Sequence, residues 1–320
     1  MGPRMLLFGL VAALAAATPL KRQERTTVDP AVYKKLVDYA AFPTMSATDP
    51  GSAALDANCS VTLVRYINQQ STDTQAAVWL RKSTREIIIG IPGTNGLRDA
   101  LTDIEVLPIP YISPSIRCPG TCLVHAGFLL AWNSIEGQVI DAVSLALEQN
   151  PGFSVVISGH SLGGAIANLA FARLKNGPFN TTGAYTYGQP RVGNREFADY
   201  IDSLSKASDS EAGSYNRVTH AEDGVPHALP MFLGYQHPRG EYWESAHEPQ
   251  SDTTYRCLER ESSKCSRSTT TFLELAIKAI FETLGKPLLG FPFLPTIIGV
   301  FLNSDHGTYA GLTPLCKVAQ

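Results

Sequence analysis

Apolar residues along this chain gather in short blocks with polar breaks between them. Residues 61–67, 76–81 and 86–91 are β-branched or apolar runs bounded by polar residues, the pattern of strands. Phe153 to Ser158 is almost continuously apolar, as a strand buried on both faces should be. Gly183–Tyr187 and Tyr215–Thr219 read as further strands. Leu162–Lys175 and Arg195–Leu204 read as helices, the first with small residues at Gly163, Gly164, Ala165 and Ala167. Strands alternating with helices predict an α/β fold with a mostly parallel central sheet flanked by helices. No linker interrupts 23–320, so a single domain is expected there.

Two longer apolar stretches fall outside that alternation. Arg4 precedes an apolar run, Met5 to Ala16, that ends in Ala15-Ala16-Ala17. A basic residue, an apolar run and an A-x-A site predict a signal peptide over 1–17, too short to span a bilayer. The dibasic pair Lys21-Arg22 is a candidate second cleavage site, which would make 18–22 a short propeptide. The expected product is secreted and extracellular, without a transmembrane anchor. The second stretch is Thr271 to Leu302. Phe272, Leu275, Ala276, Ala279 and Ile280 form a helical stripe, and an uncharged run from Pro287 to Leu302 follows. Its three prolines make it a poor transmembrane helix.

Composition narrows the classes. With 44% hydrophobic and 17% charged residues, the chain can bury a core and is not a disordered segment. A net charge of -3 gives no basic face, so no nucleic-acid partner is expected. Six cysteines in an exported chain predict three disulfides. No Cys-x-x-Cys pair exists, so no metal site is expected. Asn58-Cys59-Ser60 and Asn180-Thr181-Thr182 are glycosylation acceptors, Asn180 lying in a Gly/Pro/Asn-rich loop. Oligomeric state is not set by the sequence.

The candidate chemistry sits at a strand-to-helix junction. Gly159-His160-Ser161-Leu162-Gly163 is G-x-S-x-G in the context a nucleophile elbow requires. Such a turn lifts Ser161 Oγ above the sheet edge. It also makes the Leu162 N–H, at a helix N-terminus, a donor to a developing oxyanion. A serine needs a base and an orienting acid, in the chain order Ser, Asp or Glu, His. Asp223 stands where the Tyr215–Thr219 strand gives way to a Gly/Pro turn, with Glu222 as its rival. His125, His160 and His220 come too early in the chain. His227, His237, His247 and His306 remain, and His306 lies in a polar break after the long apolar stretch.

Several segments resemble the class 3 lipases, the secreted filamentous-fungal lipases and their feruloyl esterase relatives. They are Ile91-Pro92-Gly93-Thr94, His125-Ala126-Gly127-Phe128, the elbow GHSLGG, YTYGQPRVGN (185–194), RVTHAEDGVP (217–226), Leu229-Pro230 and GYQHPRGEYW (234–243). They run in family order over most of 60–310. The resemblance implies an α/β-hydrolase fold and a Ser161–Asp223–His306 triad. It gives His237 a structural role and makes Thr94 and Leu162 the oxyanion hole, with Thr94 donating through N–H and hydroxyl. Pro92 stands where the family commonly has Arg, and the lid tryptophan is missing. After Thr94 and Asn95, the segment opening at Gly96 carries Leu97, Ala100, Leu101 and Ile104 as one apolar stripe, a candidate lid. Fifteen cysteine pairings are open. Cys118–Cys122 and Cys257–Cys265 would close short local loops. Cys59–Cys316 would tie the C-terminus to the start of the domain, a bridge the resemblance supports.

These expectations point to an esterase that needs no cofactor, forms an acyl-enzyme on Ser161, and meets acylglycerols at a lipid–water interface. Phe291 and Phe293 are candidates to line the acyl site, against the alternative that 271–302 is an extra core element. A feruloyl or other soluble-ester esterase is the runner-up. An inactive binding protein on the same fold is disfavoured by the intact Ser–Asp–His set.

Overall fold

The computed structural model describes residues 25–49, 60–94, 108–113, 118–269 and 303–315. Nine strands build the main sheet: β1 (Thr26–Thr27), β2 (Thr62–Gln69), β3 (Thr74–Arg81), β4 (Glu86–Ile91), β7 (Ser154–His160), β8 (Thr181–Tyr187), β10 (Tyr215–His220), β12 (Glu241–Glu244) and β13 (Thr254–Cys257). Four short strands build a second sheet: β5 (Pro108–Pro110), β6 (Leu123–His125), β9 (Gly193–Asn194) and β11 (Tyr235–Gln236). The helices are α1 (Pro30–Met45), α2 (Ala126–Gln149), α3 (Leu162–Lys175) and α4 (Arg195–Ser205).

The main sheet runs β1-β13-β12-β10-β8-β7-β4-β3-β2. From β4 through β7, β8 and β10 to β12 every pairing is parallel. The edges are antiparallel: β3 to β4, β2 to β3, β13 to β12 and β1 to β13. Parallel strands must be covered on both faces, and the period-2 alternation of β4 shows how. Ile87, Ile89 and Ile91 pack with α2 and α3 residues such as Phe128, Val139 and Leu169. Ile88 points the other way, against Tyr39 and Phe42 of α1. All four isoleucines are fully buried, each contributing about 1.5–3 kcal/mol relative to exposure.

Sequence chemistry starts the helices. The Asp29 carboxylate accepts the Ala31 N–H at 2.7 Å, and Pro30 opens α1, where its missing N–H costs nothing. Asn194 caps α4 by accepting the Phe197 N–H at 3.1 Å. The same side chain also accepts the Leu123 N–H and donates to the Thr121 carbonyl, docking the small sheet on the helix.

The alternating pattern located β2, β3, β4, β7, β8, β10, α3 and α4, with ends displaced by a residue or two. It did not locate α1, α2, the outer strands β1, β12 and β13, or the strands of the small sheet. Cys118–Cys122 and Cys257–Cys265 are disulfide-bonded. Asn180 is exposed at the turn leading into β8. The signal peptide (1–17), the propeptide (18–22), Asn58, Cys59, Cys316, the lid residues Gly96, Leu97, Ala100, Leu101 and Ile104, and Phe291 and Phe293 lie outside the described residues. Among the described residues no helix is long and apolar enough to cross a membrane.

Candidate active site

Strand β7 ends at His160 and helix α3 begins at Leu162, leaving Ser161 alone in the turn. Its backbone takes φ 57° and ψ -127°, a strained conformation for a residue with a side chain. The flanking glycines follow from close approach. A Cβ on Gly159 would lie 2.3 Å from the Gly163 carbonyl oxygen, and one on Gly163 would lie 2.2 Å from the carbonyl oxygens of Ile91 and Pro92. The Ser161 N–H donates to the Tyr187 carbonyl at 2.7 Å, fixing the turn to the end of β8. Leu162, at the first helical position, has an N–H without an intrahelical acceptor.

Two distant segments, one carrying Asp223 and the other His306 and Tyr309, converge on that turn. His306 Nε2 lies 2.8 Å from Ser161 Oγ, and His306 Nδ1 lies 3.0 Å from Asp223 Oδ2. Asp223 follows β10, and its Oδ1 accepts the Val225 N–H at 2.9 Å. Its Oδ2 also accepts the Tyr309 hydroxyl at 2.5 Å. Burial pushes the Asp223 carboxyl up. The hydrogen bond and charge of His306, with the bonds from Tyr309 and Val225, outweigh that and hold it below the ordinary 3.8. It is an anion set to face an imidazolium. Burial, then the charge of Asp223, pushes Tyr309 well above 10, so its hydroxyl stays a donor.

The structure brings together Ser161, Asp223 and His306. It gives the other histidines different partners. His237 is buried, with Nε2 2.7 Å from the Pro226 carbonyl. Burial, then the nearby arginines, pushes His227 from 6.5 to about 3 and His237 well below 6.5. His247 lies against Asp305. His160 sits beside the nucleophile but its Nε2 donates to the His306 carbonyl at 2.8 Å. Burial, then the charge of His306, pushes it to about 4. Thr94 lies on the segment after β4, and its hydroxyl donates to Asp73 Oδ2 at 3.0 Å. Adjacent Gly93 lies so close to the nucleophile that a Cβ there would be 2.9 Å from Ser161 Cβ.

Two residues at this site carry no local sequence signal: Tyr309, which follows His306 by three, and Asp73, in the β2–β3 turn. Among the described residues no cluster of His, Cys, Asp or Glu could hold a metal ion.

Comparison with known proteins agrees with this geometry. Residues 88–233 match the family Lipase (class 3). A secreted mono- and diacylglycerol lipase from Fusarium solani is 36% identical over 186 residues, covering 58% of this chain and 51% of that protein. The chain thus spans about half the length of that relative. A lipase from Rhizomucor miehei is 30% identical over 257 residues, covering 76% of this chain and 67% of that one. The crystal structure of the Lip2 lipase from Yarrowia lipolytica superposes with a TM-score of 0.70 at 26% identity, over 92% of this chain and 98% of that one. The mostly parallel sheet, the strained elbow between β7 and α3, and the family match place this chain in the class 3 lipases, on the α/β-hydrolase fold.

Proposed function

We propose that this protein is a secreted serine esterase that hydrolyses acylglycerols through an acyl-enzyme on Ser161. The observation that carries the proposal is the hydrogen-bonded line from Ser161 Oγ through His306 to Asp223, at 2.8 and 3.0 Å, on a strained elbow. His306 takes the serine proton as Oγ attacks the ester carbonyl. Asp223 keeps Nδ1 of the imidazole protonated and stabilises the charged ring. The N–H groups of Leu162 and Thr94 bind the tetrahedral oxyanion, and the Thr94 hydroxyl joins them once its single proton turns away from Asp73 Oδ2. His306 then protonates the leaving alcohol, and water attacks the acyl-enzyme by the same route. The name of the Fusarium solani relative, a secreted mono- and diacylglycerol lipase, supports an acylglycerol substrate and export from the cell. In the same proposal 96–104 forms the lid, Phe291 and Phe293 contact the acyl chain, Cys59 bridges Cys316, and Asn180 carries a glycan.

The test pairs Ser161→Ala with a substrate panel: a long-chain triglyceride emulsion, a diacylglycerol, a short soluble ester and methyl ferulate. Ser161→Ala is expected to lower kcat on the order of 10⁶-fold. Turnover that survives Ser161→Ala refutes the triad. A wild-type enzyme that prefers methyl ferulate to every acylglycerol refutes the substrate class.

A further inference from the structure

His306 stands on a single 3-10 turn, Ser304–Gly307. An imidazole on so short an element needs an external reference to stay within hydrogen-bond reach of both Ser161 and Asp223. The turn has one, and it is the residue next to the acid. Glu222 donates its N–H to Asp305 Oδ2 at 3.1 Å. Its carbonyl accepts from Asn303 Nδ2 at 2.7 Å. Asn303 meanwhile caps its own turn, its Oδ1 accepting the Asp305 N–H at 3.1 Å. Both backbone polar groups of Glu222 are therefore gripped by the turn that carries His306. Asp305 is buried at 6% exposure, and its other carboxylate oxygen lies 3.0 Å from His247 Nδ1. The backbone of the turn is held too: the Asp305 carbonyl accepts from His220 Nδ1 at 3.0 Å and the His306 carbonyl from His160 Nε2 at 2.8 Å.

We propose that Asn303 and Asp305 are positioning residues that set His306 against Asp223 by holding the N–H and C=O of Glu222; the proposal rests on the triad assignment made above. Neither side chain touches Ser161. Their effect passes through the separation of the base and acid loops, which meet across more than 80 residues of chain. A misplacement of about 1 Å in such a constellation costs on the order of 10²-fold in turnover. The loss falls on kcat rather than KM, because substrate contacts are untouched.

The experiment uses the full chain as secreted and a short soluble p-nitrophenyl ester, so that interfacial effects do not enter. Active sites are titrated with a fluorophosphonate. Asp305→Ala is expected to lower kcat per titrated site on the order of 10- to 100-fold, with KM essentially unchanged. Asp305→Asn keeps an oxygen for the Glu222 N–H and should restore most of that loss. A purely structural role predicts a lowered melting temperature with kcat per titrated site intact, and that result overturns the proposal. So does an Asp305→Asn variant as impaired as Asp305→Ala. If Asp305→Ala does not fold, Asn303→Ala decides: a lower kcat at unchanged KM supports the proposal, an unchanged kcat overturns it. Ser161→Ala runs alongside. Activity that survives it removes the triad assignment itself, whereas Ser161-dependent activity indifferent to both substitutions removes only the positioning role.

Discussion

Glu244→Gln should stabilise this protein above acidic pH, by an amount that grows with pH. Glu244 ends β12, inside the sheet, at 1% exposure, and its Oε2 accepts the Ala310 N–H at 3.2 Å. No arginine or lysine is among the groups that set its titration. Burial pushes its carboxyl from 4.5 to about 8, with the Ala310 N–H pulling weakly the other way. Its folded-state value is thus raised above the unfolded one. The stability this group contributes is fully present below pH 4.5 and is lost as pH rises to about 8, where the buried carboxylate finally ionises. Each decade across that window costs about 1.4 kcal/mol, so the full span costs on the order of 5 kcal/mol and about two-thirds of it is spent by pH 7. Glutamine keeps the shape and an oxygen for Ala310 and never ionises. Thermal or urea unfolding of wild type and Glu244→Gln, from pH 4 to 9, should give curves that meet near pH 4.5 and diverge steadily above it. Parallel curves across the range would refute the reasoning. They would mean that water or rearrangement solvates the carboxylate.

Legibility in the sequence followed the range of the interactions involved. β4 and β7 announce themselves because both their faces are buried, so Ile87 to Ile91 and Val155 to Ile157 leave no polar position to blur the pattern. The elbow is legible for a related reason: Gly159 and Gly163 are imposed by contacts within a few residues and with β4 next door. Helix α2 did carry a signal, buried Phe128, Trp132, Ile135, Val139, Val143 and Ala146 at helical spacing. It is masked at its start by a glycine-bearing His125-Ala126-Gly127 and broken by Gly137. For α1 the Asp29-Pro30 pair was the available cue. The strands of the small sheet are two or three residues long, below the length at which alternation can be read. The acid was placed by chain order and its strand-end turn, the base by chain order and the resemblance. What joins them, the Tyr309 hydroxyl on Asp223 and the Asn303 and Asp305 bonds to Glu222, closes over more than 80 residues, and no local pattern marks such a bond.

Two further perturbations probe the frame around the site. Arg191 is fully buried and makes a two-point ion pair with Glu261, Nε to Oε1 at 2.8 Å and Nη2 to Oε2 at 2.9 Å, while its Nη1 donates to the carbonyls of His227 and Leu229. Arg191→Met should cost about 3–5 kcal/mol in urea unfolding, because Glu261 is left as a buried, uncompensated carboxylate; a loss under about 1 kcal/mol, the scale of an exposed pair, would refute that. Gly188→Ala tests the site's tolerance directly. Gly188 follows β8 with φ +60°, and a Cβ there would lie 2.8 Å from His306 Cε1, 2.9 Å from His306 Nδ1 and 3.1 Å from Asp223 Oδ2. The methyl group would occupy the edge of the His306–Asp223 hydrogen bond, so the imidazole must rotate or the 304–307 turn must retreat, and either motion lengthens the reach to Ser161. Turnover of a soluble ester should fall on the order of 10²-fold. The left-handed backbone adds a stability cost of about 1–2 kcal/mol. That is too small to unfold the protein, so circular dichroism should report a native fold in a variant that barely turns over. A Gly188→Ala enzyme with wild-type kcat would mean that His306 reaches Ser161 from a position other than the one this geometry gives it.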